Sequence, residues 1–248
     1  MSVRNGDLAE KWYEYVYREQ SDSVSRFVEQ FPDERALSVS CNRFGHDYQF
    51  VRPLLTNPDA VLQAGRAALR RFTSQSSDEL DSVYLRISDL PAQSEVSFEE
   101  LRADHLNELH TFSGAVVATE PVRPKVVTAA FRCAKCERVT RRDAQPGRTF
   151  RDHAKCPRCS SVGYLSFAPE DSDYVDAQLV ELRDSDEQMQ SDTDAVPVLL
   201  EHDLAGSVSV GETVRLAGIP RANRAAESTV ADFWVESVSM ENLTATNQ

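Results

Sequence analysis

Residues 101–136, LRADHLNELHTFSGAVVATEPVRPKVVTAAFRCAKC, contain two runs of alternating apolar residues and end in a pair of closely spaced cysteines. The first run is FSGAVVAT, the second is KVVTAAF, and a proline-containing turn separates them. A two-residue hydrophobic period bounded by Gly, Pro, Asp or Ser predicts β-strands. The same pattern recurs in five other segments, namely VYLRI before this stretch and YVDAQLVEL, VPVLLE, TVRLAGI and ADFWVESV after it.

Short strands with a cysteine segment inserted among them predict a small antiparallel barrel. A five-stranded oligonucleotide-binding (OB) barrel is the natural candidate, because its loops accommodate long insertions. Residues 1 to about 75 have helical patterns instead, including a period of apolar residues in DLAEKWYEYVYRE and in NPDAVLQAGRAALRRF. The predicted fold class is α+β. We expect a helical bundle at 1–92, an OB barrel at 93–131 and 165–248, and a zinc-binding insertion at 132–164.

Four of the five cysteines form two CxxC hooks, Cys133-x2-Cys136 and Cys156-x2-Cys159, separated by nineteen residues. This spacing is typical of a tetrahedral four-cysteine zinc site. A secreted disulfide framework is disfavoured because the N-terminus lacks the apolar core of a signal peptide. A redox CxxC motif stands alone, not as a matched pair. We predict one structural zinc ion per chain, because protein ligands fill all four positions; His153 and Cys41 are predicted to be non-ligands.

The charge of the chain is unevenly distributed. The whole chain has a net charge of −13, with 23 arginines and only four lysines. This acidic, lysine-poor composition is typical of proteins kept soluble in concentrated salt, and predicts a halophilic archaeal source. Residues 123–158 nevertheless contain eleven basic and three acidic residues, a net charge of +8. We call this segment the basic island, and such a concentration of positive charge favours a polyanionic partner.

The order of a helical lead, OB-like strands and a four-cysteine insertion resembles the N-terminal region of archaeal minichromosome maintenance (MCM) helicases. The likeness is strongest from Leu101 to Val235. It includes the VRP turn before the first hook, DYVDAQLVELRDS after the second, and LLEHDLAGSVSVGETVRLAGIPR. Residues 1–90 match only in pattern. The resemblance implies a module that binds single-stranded and also double-stranded DNA and assembles into a homohexamer or double hexamer.

The resemblance also implies which cations contact DNA. Arg123 and Lys125 lie in or beside the VRP turn, and Arg221 and Arg224 match a basic hairpin that the family directs into its channel. The cluster of Arg138, Arg141 and Arg142 lies on the zinc insertion. The alternative for the hairpin is that Arg221 or Arg224 forms exposed ion pairs with Glu227 or Asp232.

The functional alternatives follow from what the sequence lacks. No phosphate-binding GxxxxGK[ST] loop is present, so we expect no ATPase activity from this chain itself. The chain is either the front part of a helicase or a stand-alone relative, and the sequence leaves both open. A non-catalytic adaptor that joins protein assemblies without binding DNA is the other hypothesis. The expected location is cytoplasmic and nucleoid-associated, because no segment approaches the ~20 apolar residues of a membrane span.

Overall fold

The computed structural model describes residues 5–73, 80, 83–143, 155–184, 195–224 and 229–244. Within these residues, helices and a two-stranded sheet form an N-terminal part, and eight further strands form one continuous sheet. The helices are α1 (Asn5–Trp12), α2 (Ser21–Gln30), α3 (Tyr48–Thr56) and α4 (Pro58–Thr73). The predicted α+β fold class is confirmed.

Aromatic residues of α1 and of the π-helix that follows it (Tyr13–Arg18) fix the N-terminal part. Trp12 and Tyr17 are fully buried and their rings stack 5.8 Å apart. The Trp12 indole N–H donates to the carbonyl of Val61 at 2.8 Å, and the Tyr17 hydroxyl donates to the carbonyl of Gly65 at 2.9 Å. A Cβ atom on Gly65 would lie 2.5 Å from Leu85, so glycine permits the close approach of α4 to this core.

Two short strands of the N-terminal part form a parallel pair. β1 (Ala36–Ser40) pairs in register with β2 (Tyr84–Ser88). The sequence pattern predicted β2, but it assigned β1 to a helical region. Leu37 and Val39 are buried and alternate with more exposed neighbours, as a strand requires. Two buried apolar positions in five residues are too few to distinguish a strand from a helix.

The remaining strands are β3 (His110–Thr119), β4 (Arg123–Cys133), β5 (Val139–Asp143), β6 (Leu165–Phe167), β7 (Asp173–Asp184), β8 (Val196–Glu201), β9 (Thr213–Arg224) and β10 (Ala231–Asn242). Five of these close into a barrel in the order β3–β9–β10–β8–β7, because β7 pairs back with β3. Four of the five pairings are antiparallel, as predicted. The fifth pairing, between β8 and β10, is parallel. The closed five-stranded barrel agrees with the predicted OB fold.

Gly114 lies where β3 changes partners. It pairs with Val214 of β9 and also with Asp184 of β7. A Cβ atom at this position would lie 2.6 Å from the carbonyl oxygen of Arg183, so only glycine allows both strands to approach. The barrel interior is apolar and tightly buried; its members include Phe112, Val116, Val180, Leu182, Leu200, Leu216 and Val235.

A buried arginine joins β2 to the barrel. The side chain of Arg86 is only 7% exposed and donates to Asp203 at 2.5 Å. It also donates to the carbonyls of Val238, at 3.0 Å, and Glu201, at 2.8 Å. All these acceptors belong to the barrel or to its connections, so Arg86 fixes the N-terminal part against it.

The cysteine segment extends from one edge of the barrel. The first half of β4 pairs with β7, and its second half pairs with β5 and β6. The segment of β4 beyond the barrel, β5, β6 and the two hooks are called the cysteine module below. No helix among the described residues has the length and apolarity that a membrane span requires. The predicted acidic loop between β7 and β8 falls mainly on residues 185–194, outside the described residues.

Candidate metal centre and nucleic-acid interface

The two hooks bring their four sulfur atoms together. Cys133 ends β4, Cys136 follows in the turn after it, and the second hook folds back over the first, so that all four Sγ atoms lie within 4.8 Å of one another. The Cys133 and Cys159 sulfurs are 3.7 Å apart, as are the Cys136 and Cys156 sulfurs. A tetrahedron with metal–sulfur bonds of about 2.3 Å has edges of about 3.8 Å. The four thiols can therefore bind one metal ion.

Hydrogen-bond donors surround these sulfurs. Burial works against the charged form of Cys133, but the amides of Lys135 and Cys136 and the Ser161 hydroxyl outweigh burial and lower the pKa of the thiol to about 6. The Ser161 hydroxyl and amide also lower the pKa of Cys159. Donors of this kind stabilise thiolate, the form of cysteine that binds metals. The thiol set suits a closed, four-coordinate site for a thiophilic ion. His153 lies outside the described residues.

Acidic residues near β4, β5 and β7 neutralise part of the basic island. Arg141 contacts Asp173 at 3.2 Å, and Lys125 contacts Glu201 at 2.5 Å with both side chains largely buried. Arg123 lies 3.7 Å from Glu120. Arg132 contacts Asp171 at 2.5 Å and Glu170 at 3.6 Å. Apart from Lys125 and Glu201, these pairs are exposed and weak, but they reduce the field around each cation.

Four cations of the cysteine module have no ion pair among the described residues. Arg138 follows the first hook, Arg142 lies in β5, and Lys155 and Arg158 flank Cys156 of the second hook; all four are exposed. The ammonium of Lys135 lies 4.2 Å from the centre of the Tyr164 ring, which is 46% exposed. The cysteine module thus has exposed positive charge beside an exposed aromatic ring.

The sequence predicted Arg221 in an exposed basic hairpin, but the structure buries its side chain. Its side chain is 9% exposed, and its guanidinium binds both carboxylate oxygens of Asp59, at 3.0 and 2.6 Å. It also donates to Glu236 at 2.9 Å and to Asn107 at 2.9 Å. Despite this guanidinium, burial raises the pKa of Glu236. The contacts of Arg221 with described residues are all internal, so this placement does not support a direct contact with DNA.

The other residues predicted for the hairpin are only partly described. Arg224 ends β9, and its side chain lies outside the described parts of the chain. Glu227, a predicted partner, also lies outside them, whereas Asp232 is exposed and pairs in register with Asn223. The partner that Arg221 does find, Asp59, belongs to the first turn of α4. No sequence pattern connects these two residues, which are 162 positions apart.

The sequence model of the MCM OB domain family matches residues 97–224, about half of the chain. The chain belongs to the MCM family. It is 25% identical over 213 residues to the DNA replication licensing factor mcm4 of Xenopus tropicalis, covering 84% of this chain and 24% of that one. It is 30% identical over 142 residues to the licensing factor Mcm2 of Drosophila melanogaster, covering 55% of this chain and 15% of that one. The chain thus spans about a quarter or less of these relatives' length.

A solved structure supports the fold. The N-terminal domain of an archaeal MCM superposes with a TM-score of 0.80 at 21% identity, covering 96% of this chain and 99% of that one. The predicted MCM resemblance is confirmed, and the barrel with an attached four-cysteine cluster agrees with it. The halophilic source, the zinc identity of the metal and the individual DNA contacts stay predictions.

Proposed function

We propose that this MCM chain is the DNA-binding and ring-assembly module of a DNA replication helicase. Its closed OB barrel holds single-stranded DNA, since OB barrels bind strands through basic grooves and stacking surfaces. The relatives are replication licensing factors, which supports a replication role. We also propose the organisation expected from the sequence: a helical subdomain at 1–92, a barrel at 93–131 and 165–248, and a metal-binding insertion at 132–164.

We propose that Cys133, Cys136, Cys156 and Cys159 hold one structural zinc ion per chain. The support is the donor set itself, because four thiolates at tetrahedral spacing leave no open position for water or substrate. When bound, the ion supplies a cross-link between the two hooks and no reaction chemistry. The hooks are short loops with little apolar burial of their own, so this cross-link maintains their fold.

Exposed arginines without an ion pair on the cysteine module are the observation that supports DNA binding by it. Arg138 and Arg142 are exposed there and have no ion pair among the described residues. Arginine binds phosphate oxygens through two parallel hydrogen bonds, and this geometry still functions where salt removes long-range attraction. We rank Arg138 and Arg142 above Arg123, Lys125 and Arg141, whose charges face acidic residues.

We further propose that the chain forms a homohexamer or double hexamer around DNA. A ring retains DNA by encirclement, which suits a protein with a net charge of −13. Like-charged protomers repel one another until salt screens them, so assembly should strengthen with ionic strength. Light scattering at low and molar salt tests this, and a monomer in both would contradict it. The proposed location is cytoplasmic and nucleoid-associated, with no membrane partner.

The adaptor hypothesis remains the second candidate function. It is favoured by the internal pairing of Arg123, Lys125, Arg132 and Arg141, which leaves less free charge than the sequence count suggested. An adaptor needs no phosphate contacts and should bind single-stranded DNA no better than an acidic protein without the cysteine module.

Fluorescence anisotropy with a labelled single-stranded oligonucleotide separates the two functions. We expect wild-type protein to bind with an affinity that falls as salt rises, since each phosphate contact contributes about 0.7 to the salt slope on a single strand. The double variant Arg138→Ala/Arg142→Ala should bind more weakly at every base sequence and lose up to about 1.4 from that slope.

A charge-matched variant provides the control. Arg26 and Arg43 are exposed arginines of the N-terminal part without an ion pair among the described residues, so Arg26→Ala/Arg43→Ala removes the same charge outside the cysteine module. It should retain the wild-type slope. Equal losses in the two double variants would indicate general electrostatics, and no DNA binding by the wild type would favour the adaptor.

A further inference from the structure

Ser161 contacts two of the four sulfurs, one from each hook. Its hydroxyl oxygen lies 3.0 Å from Sγ of Cys159 and 3.7 Å from Sγ of Cys133. Cys133 belongs to the first hook and Cys159 to the second. A metal-bound thiolate has no proton to donate, so the hydroxyl must be the donor, with its stronger bond to Cys159.

The backbone of Ser161 is also tied to the second hook. Its carbonyl accepts from the amide of Cys156 at 2.9 Å, and its amide donates to the sulfur of Cys159. These contacts exist for any residue at this position. The hydroxyl is therefore the only contribution specific to serine, and alanine removes it while keeping both backbone bonds.

The cysteine nearest to Ser161 is the most exposed residue of the four. Cys159 is exposed, whereas Cys133 and Cys156 are fully buried. Loss of a metal ion from a four-thiolate site begins with one sulfur leaving the ion, and water or a chelator approaches most easily on the side of the exposed residue, Cys159. A hydrogen bond that orients this thiolate and withdraws part of its charge opposes that first step.

We propose that Ser161 is a positioning residue of the metal centre, whose hydroxyl holds the Cys159 thiolate in place and slows loss of the ion. This inference rests on the proposed metal site and extends it to a residue that is not a ligand. Hydrogen-bonding partners of metal ligands typically change metal affinity by about 10–100-fold. We therefore expect Ser161→Ala to lose zinc about tenfold faster than wild type to a chromogenic chelator.

The electronic spectrum of the cobalt-substituted protein provides a readout that a purely structural role does not change. A hydrogen bond to sulfur lowers the energy of the sulfur lone pairs, so its removal makes charge transfer from sulfur to metal easier. The charge-transfer band of Co²⁺-loaded Ser161→Ala should move to longer wavelength. Ser161→Thr restores the hydroxyl and should restore both the band and the slow loss of zinc.

Ser166→Ala is the matched control. Ser166 lies in β6 of the same module, is exposed, and donates to the carbonyl of Arg132 instead of a sulfur. It should match wild type in both measurements. Ser161→Ala matching Ser166→Ala overturns the inference.

The remaining outcomes separate this inference from the metal site. Should Ser161→Ala bind too little metal to measure, Ser161→Thr decides, because a threonine variant as deficient as alanine also overturns the inference. Wild-type protein that binds neither Zn²⁺ nor Co²⁺ would refute the metal site itself.

Discussion

The arginines at the junction between the N-terminal part and the barrel differ from those of the cysteine module in burial and in partners. The side chains of Arg86 and Arg221 are 7% and 9% exposed and contact carboxylates and carbonyls. Arg138 and Arg142 are exposed and have no ion pair among the described residues. The same residue type thus fixes two parts of the fold in one region and presents positive charge to solvent in the other.

Removal of the metal should unfold the cysteine module and leave the barrel folded, and this is the largest expected effect. Structural zinc contributes about 10–16 kcal/mol of apparent binding free energy in small metal-dependent domains. We expect Cys133→Ser to hold less than half an equivalent of zinc. Its cysteine module should lose amide protection in hydrogen exchange, while β3 and β9 of the barrel keep theirs. Unchanged protection around both hooks would contradict a structural role for the ion.

Removal of Arg221 tests the junction directly. Arg221→Ala leaves Glu236 and Asp59 without their shared cation; Glu236 is partly buried and Asp59 is exposed. The free energy of unfolding, measured in urea, should fall by about 1–3 kcal/mol, because the partly buried hydrogen-bonding groups lose their partner. Arg138→Ala removes the same charge from an exposed position and should change stability by no more than about 0.5 kcal/mol. Similar losses in the two variants would remove the distinction between the regions.

Local patterns in the sequence predicted the features that depend on local contacts. The two-residue period located the barrel strands, and the CxxC spacing located the four sulfurs. Family resemblance then supplied the fold and its order. The features that the sequence did not predict all depend on distant partners. β1 is a strand because residues 84–88 lie beside it, and Arg221 is buried because the N-terminal turn of α4 supplies Asp59.

The free charge of the basic island also depends on distant partners that the sequence does not reveal. Its net charge of +8 was counted between residues 123 and 158, but its acidic partners lie at Glu120, Glu170, Asp171, Asp173 and Glu201. Four of these five lie after the counted segment in the sequence. Glu170 and Asp171 shortly precede β7, Asp173 begins β7, and Glu201 ends β8. Pairing of β7 with β4 brings most of them to the arginines. Charge counts along a sequence therefore overestimate free charge wherever strand pairing returns acidic residues to the same edge.

A double-mutant cycle compares an ion pair in which only the arginine is buried with an ion pair in which both partners are exposed. Arg221 and Asp59 form a bidentate contact at 2.6 and 3.0 Å across the junction. Alanine substitutions in this pair should show a coupling energy of about 1–3 kcal/mol. Arg123 and Glu120, 3.7 Å apart and 64% and 41% exposed, should give less than about 1 kcal/mol. A larger coupling in the exposed pair would reverse the comparison.

The smallest expected effect is on the pH dependence of stability. It concerns His110, a buried residue near the junction whose neutral form the fold favours. His110 begins β3, is 9% exposed, and contacts His105 with ring centres 5.1 Å apart. Burial lowers the pKa of His110, and His105 lowers it further, although Glu108 and the backbone of Ser94 oppose the shift.

Because the folded protein resists protonation of His110, the unfolded chain binds more protons once the pH falls below about 6.5. This contribution to the free energy of unfolding is complete above that pH and is lost as the pH falls toward the lowered pKa. His110→Phe keeps the ring contact with Phe112 and cannot be protonated, so its stability should fall less between pH 7 and pH 5. His202 also has a lowered pKa from burial, so part of the pH dependence should persist in the variant. Urea unfolding across this range measures the difference. Identical pH dependence in wild type and variant would show that the folded protein accepts a proton at position 110 as readily as the unfolded chain does.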